Sequence, residues 1–120
     1  MPESVEKLEI WQEAVEIVTF VYDITKKWPR DEMYGLTSQV RRAAVSIPAN
    51  LAEGVGRSSP GEMARFAQIA LGSLYELDTL LYLGVRLKYV APTRVVPVRD
   101  RLTTLAKRTS SFIRYQGNRK

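Results

Sequence analysis

Leu36-Thr-Ser-Gln-Val-Arg-Arg-Ala-Ala-Val-Ser-Ile-Pro-Ala-Asn-Leu-Ala-Glu-Gly-Val-Gly-Arg57 reads as a helix with a proline inside it. Leu36, Val40, Ala43, Ala44 and Ile47 keep helical spacing before Pro48, and Leu51 continues the same face after it. Pro48 has no N–H, which predicts a kink where the Ala44 carbonyl loses its partner. A polar stripe, Gln39, Arg42, Ser46, Asn50 and Glu53, runs beside the apolar one at steps of three and four residues. Gly54, followed by Gly56, predicts the end of the helix.

Working outward, the remaining apolar periodicity also reads as helix. The first helix is expected over about 5–28. There Leu8, Trp11, Val15, Val18 and Tyr22 form one line, and Ile10, Ala14, Ile17, Val21 and Ile24 form a second. That stripe is wide enough either for a central position in the chain's own core or for part of it to meet a neighbouring subunit. The polar loop after Gly54 leads to Ser59-Pro-Gly-Glu62, an N-cap serine with proline at the first helical position and glutamate three residues on. The third helix is then expected over about 60–89, with Gly72 and Gly84 inside it as places for close helix approach. A fourth is expected over about 95–115. Helix 2 occupies 36–54. Four helices, short connectors and no strand signal predict one domain, an all-α antiparallel up-down-up-down four-helix bundle.

Composition narrows the chemistry. The chain has no cysteine and no histidine, so disulfides, Cys/His zinc sites and imidazole bases are excluded. No cofactor or metal is expected. Glu53 and Glu76, expected to face each other across helices 2 and 3, are the one carboxylate pair placed for acid–base work. Serines 46, 58, 59 and 73 have no nearby lysine to activate them. No secretory signal or membrane-length apolar run is seen, so the chain is expected to be cytoplasmic, with no membrane role.

Charge is uneven. Residues 1–34 sum to −4, residues 35–92 to +2 and residues 93–120 to +7. Such asymmetry suggests a polyanionic partner, or pairing of acidic and basic segments within an assembly. Arg41, Arg57 and Arg65 around helices 2 and 3, with Lys107, Arg108, Arg114, Arg119 and Lys120 near the C-terminus, are the candidate phosphate contacts. Tyr115 is placed to stack on a base. Without a helix-turn-helix signature or RNP-type aromatic motif, such binding would be backbone-directed and salt-sensitive. The polar stripe has a structural reading: Ser46 bonding a carbonyl freed at the kink, Asn50 and Glu53 reaching Ser73 and Glu76, and Arg42 neutralising a buried carboxylate.

Gln39-Val-Arg-Arg-Ala-Ala-Val-Ser-Ile-Pro-Ala-Asn-Leu-Ala-Glu-Gly54, then Arg57-Ser and Gly72-Ser-Leu-Tyr-Glu-Leu77, closely resembles the four-helix-bundle proteins encoded in 23S rRNA intervening sequences. The opening Leu8-Glu-Ile-Trp-Gln-Glu-Ala14 fits the same family, and the resemblance spans about residues 6–90. It implies a left-handed bundle that assembles into a ring, a homopentamer. A related branch, the accessory variability proteins of diversity-generating retroelements, consists of similar basic pentamers that bind nucleic acid and partner a reverse transcriptase. The family offers no catalytic residues. Its shared motif maps onto Ser46, Pro48, Asn50, Glu53, Gly54, Ser73 and Glu76, which look architectural. The reading is thus a non-enzymatic, ring-forming accessory protein that binds RNA or DNA; the alternative is a protein-interaction scaffold.

Overall fold

The structure is a computed structural model that describes residues 3–119. It is an all-α bundle, about 48 Å long and 20–24 Å across. A one-turn helix α1 (Glu3–Glu6) precedes the four long ones: α2 (Glu9–Thr25), α3 (Leu36–Gly56), α4 (Pro60–Arg86) and α5 (Pro92–Gly117). A 3-10 turn at Arg30–Glu32 bridges α2 and α3. Each long helix packs on its chain neighbours, and α2 meets α5 to close the bundle.

The core follows the apolar periodicity. Ile10, Ala14, Ile17, Val21 and Ile24 of α2 are buried, whereas the adjacent line fades outward from half-buried Trp11, Val15 and Val18 to exposed Tyr22. Ala43, Ala44, Ala67 and Ala70 are buried between α3 and α4. Their short side chains let these two helices approach closely. Gly54 completes that approach: a Cβ there would lie 3.0 Å from the Phe66 Cβ and 3.2 Å from the Met63 Cα. Gly54 is therefore a crossing point rather than a terminator, and α3 continues to Gly56. The helix also runs through Pro48 as a single element.

Termini differ from the expected ones for local reasons. The first helix is not continuous from residue 5. The chain turns at Lys7–Leu8, the Leu8 N–H donates to the Val5 carbonyl, and the Gln12 amide donates to the Glu6 carbonyl at 2.6 Å. Val5 is buried by that turn. At the other end α2 stops at Thr25, and Trp28 folds back under the bundle, its ring 5.6 Å from that of Tyr89. Gly84 makes room for it, since a Cβ there would sit 2.6 Å from the Trp28 Cη2. Gly72, by contrast, is exposed with nothing within 4 Å.

α4 ends at Arg86, not near residue 89. Lys88 adopts φ 66°, the Tyr89 N–H donates to the Gly84 carbonyl and the Lys88 N–H to the Val85 carbonyl. This is a Schellman closure with lysine where glycine is usual. The start of α4 is as the sequence implies: the Ser59 hydroxyl accepts from the Glu62 N–H at 3.1 Å, with Pro60 next. α5 begins at Pro92 and absorbs Pro97 within its second turn.

Candidate nucleic-acid interface

The uneven charge of the chain is partly balanced by ion pairs between its own helices. Arg94, Arg101 and Arg108 recur every seven residues along α5, so they share one face. Antiparallel to them on α2 stand Asp23, Glu13 with Glu16, and Glu9. Arg94 reaches Asp23 at 2.9 Å, Arg101 reaches Glu13 at 2.6 Å and Glu16 at 3.5 Å, and Arg108 reaches Glu9 at 2.7 Å. The Arg101 guanidinium, through its hydrogen bond, holds the Glu13 carboxyl below the usual glutamate range. On the other side of α5, Arg99 grips Asp78 of α4 with two hydrogen bonds, 2.7 and 3.1 Å. Four of the eight bases beyond residue 92 are thus committed to acids of the same chain.

The expected phosphate-binding cations divide accordingly. Arg108 is held by Glu9. Arg57 bridges Glu53 at 3.3 Å and Glu62 at 3.4 Å, and Arg65 holds Glu62 at 2.8 Å. Both guanidiniums also lie over the Phe66 ring, at 5.0 and 4.4 Å. Arg41 donates to the Thr25 hydroxyl at 2.9 Å and covers the Tyr22 ring. Lys107, Arg114 and Arg119 have no carboxylate partner among the described residues: Arg114 bonds the Ser111 hydroxyl, and Arg119 bonds the Gln116 amide while covering Tyr115. Lys120 lies outside the described residues. The structure therefore places Lys107 and Arg114 along the C-terminal half of α5 and Arg119 just beyond its end, apart from Arg41 on α3. Arg57 and Arg65 stand as an ion-pair cluster with Glu53 and Glu62.

The polar stripe forms a smaller and different network from the expected one. The Ser46 and Ser73 hydroxyls meet at 2.8 Å across α3 and α4, and the Asn50 amide donates to both the Ser46 hydroxyl and the Ser46 carbonyl, at 2.9 and 2.8 Å. Ser46 thus serves the inter-helix pair, and Asn50 reaches Ser46 rather than Ser73. Arg42 donates to Ser38 and lies at the rim of a polar cleft with Gln39 and Glu76, so it neutralises no buried carboxylate. Glu53 turns to Arg57, away from Glu76. With Ser46 level with Ser73 in antiparallel helices, Glu53 and Glu76 stand about ten residues apart in level, roughly 15 Å along the axis. Two carboxylates so placed cannot act on one bond together.

A third cluster was not legible from spacing. Glu32, in the turn before α3, accepts from the Leu36 N–H at 3.0 Å and from the Tyr89 hydroxyl at 2.7 Å. These two hydrogen bonds hold its carboxyl below the usual range, and the bond to Glu32 pushes the Tyr89 phenol up. The bonds clip the α2–α3 turn to the end of α4. Among the described residues no acid cluster could hold a metal ion, and no helix is long and apolar enough to cross a membrane.

Comparison with known proteins bears on the same bundle. The family model described as 23S rRNA-intervening sequence protein matches residues 6–111. A crystal structure of a protein of unknown function from the S23 ribosomal protein family of Bacteroides thetaiotaomicron superposes with a TM-score of 0.77. The two share 20% sequence identity, over 87% of this chain and 97% of that one. No protein of curated function matches.

Proposed function

The chain belongs to the 23S rRNA-intervening sequence protein family, and from that premise we propose that it is a non-enzymatic accessory protein that binds the backbone of RNA or DNA as a ring of identical subunits. The observation that carries this reading is the set of cations left without carboxylate partners, among the described residues, along the C-terminal half of α5 and just beyond it: Lys107, Arg114 and Arg119. Intramolecular pairs neutralise most of the remaining α5 charge, so these three supply the positive field there, and a ring would repeat it around an axis. The family's name, tied to ribosomal RNA, agrees with a polyanionic partner. Apolar surface outside the core favours self-association: Tyr34 is 97% exposed, beside exposed Met33 and Val45. A reverse transcriptase, the partner of the related accessory proteins, would then share such a ring with nucleic acid.

The test is fluorescence anisotropy across a salt series with structured RNA, duplex DNA and single-stranded DNA, alongside mass in solution. The Arg114→Gln/Arg119→Gln variant should bind more weakly, with a salt slope shallower by about 0.7–0.9 per lost phosphate contact. Glu9→Gln/Arg108→Gln, which removes a committed pair and leaves the net charge unchanged, should bind within about twofold of the parent. No binding by the parent at low salt would sink the reading in favour of a protein-interaction scaffold.

A further inference from the structure

Between α4 and the C-terminal half of α5 runs a groove of about 370 Å³, within the roughly 300–1,000 Å³ typical of small-ligand sites. Its floor is apolar, made by Leu74, Leu102 and Ala106, which are buried. On one wall stands Tyr75, 60% exposed, a flat aromatic face on the rim of a concave site. On the other stand Lys107 and Arg114, seven residues apart and so on one face of α5, with the Ser110 and Ser111 hydroxyls between them. The one acid in the lining, Asp78, is already answered by Arg99 through two hydrogen bonds. The groove is therefore net cationic, with an apolar base and an aromatic side.

The geometry points to this groove as the seat of an unpaired nucleotide: the base lies on the Tyr75 ring and the apolar floor, and the flanking phosphates meet Lys107 and Arg114. This inference rests on the nucleic-acid reading above and adds to it a preference for single strands. An aliphatic or peptide occupant would use the floor but leave two cations facing apolar matter. A free phosphate would use the cations but leave the floor and the tyrosine idle. A nucleotide uses all three, because its π-face and its phosphate lie about one sugar apart. A duplex presents phosphates without an unstacked base, so it can meet the cations only.

The experiment titrates fluorescein-labelled oligouridylate and oligothymidylate of roughly a dozen nucleotides, and a mixed-sequence DNA duplex, into the full chain. Tyr75→Ala should weaken single-strand binding roughly tenfold, leave its salt slope unchanged and leave duplex binding within about twofold. Tyr75→Phe should restore single-strand affinity, which separates stacking from any general loss of fold. Lys107→Gln/Arg114→Gln should flatten the single-strand salt slope by about 1.4 in total. Single-strand binding unaffected by Tyr75→Ala, or single-strand and duplex binding weakened alike, would overturn the groove while leaving the broader reading standing. Loss of the oligomer's mass in Tyr75→Ala, restored by Tyr75→Phe, would assign the groove to a subunit contact and also overturn it. A parent chain that binds none of the probes would remove both readings.

Discussion

Gly72 and Gly84 lie in the same helix, yet alanine should act on them in opposite directions. At Gly84 a Cβ would stand 2.6 Å from the Trp28 Cη2 and 2.7 Å from the Cζ2. Carbon atoms rest at about 3.5–4.0 Å, so the indole would have to withdraw by roughly 1 Å. It has nowhere to go: Trp28 is 6% exposed and backed by the Tyr89 ring. Overpacking of that kind costs about 2–3 kcal/mol, offset by about 1 kcal/mol of improved helix propensity, for a net loss of about 1–2 kcal/mol. At Gly72 nothing lies within 4 Å, so only the propensity gain remains, about 0.5–1 kcal/mol of added stability. For a chain of this size about 1 kcal/mol corresponds to roughly 4 °C. Gly84→Ala should therefore melt about 4–8 °C below the parent, and Gly72→Ala about 2–4 °C above it. Thermal melts followed by far-UV circular dichroism read the shifts, and urea unfolding at fixed protein concentration reads the free energies. If Gly84→Ala were as stable as the parent, the seating of Trp28 against α4 would be wrong.

Lys88 holds a left-handed conformation that glycine adopts freely, so Lys88→Gly should stabilise by about 0.5–1 kcal/mol; a loss in urea unfolding would contradict the Schellman closure. Arg101→Gln should cost about 1 kcal/mol, because it leaves Glu13, 24% exposed, without its partner, whereas Arg108→Gln should cost under about 0.5 kcal/mol at the exposed Glu9 pair. Equal costs at the two sites in thermal melts would refute that ranking. The Glu13 and Glu32 carboxyls lie below the ordinary 4.5 in the folded chain. Their stabilisation is therefore complete above the unfolded value and fades as pH falls through the folded ones. Tm should drop on acidification below about pH 4.5, and less steeply in Glu13→Gln; a flat profile would count against both contacts. The Tyr89 phenol is raised above 10.0, so its share is present below that value and lost as pH climbs through the folded one.

Much of this architecture is written in local pattern. The Ile10 to Ile24 line, the Val40 to Leu51 line and the Ser59-Pro60 start each depend on residues within one helix, and spacing alone reveals them. What spacing does not reveal depends on a partner distant in sequence. Gly54 reads as a helix stop because glycine favours helix C-termini and Gly56 follows it, yet its role is set by Phe66 and Met63 on α4. Trp28 falls within the expected span of the first helix, but Gly84, far along the chain, leaves the space in which its ring folds inward. Lys88 carries no conformational signal, so the end of α4 was invisible. The expected phosphate contacts stand in different surroundings for the same reason: whether an arginine faces an acid depends on how the helices pack. The sevenfold recurrence of Arg94, Arg101 and Arg108 against Glu9, Glu16 and Asp23 was present in the sequence all along. It makes an ion-pair ladder because α2 and α5 are antiparallel neighbours.

That ladder has a kinetic consequence. The α3–α4 hairpin joins helices through a short connector and packs on alanines and Gly54, so its contacts close small loops and can form early. The α2–α5 rungs join residues 71 to 99 positions apart, and closing them requires nearly the whole chain to be in place. Interactions made after the transition state act on unfolding rather than folding. Added salt, by screening the rungs, should therefore lift the unfolding arm of a chevron plot while leaving the refolding arm nearly still. α2 and α5 would then behave as a latch whose release rate is set by ionic strength, on a bundle whose inner pair keeps its shape.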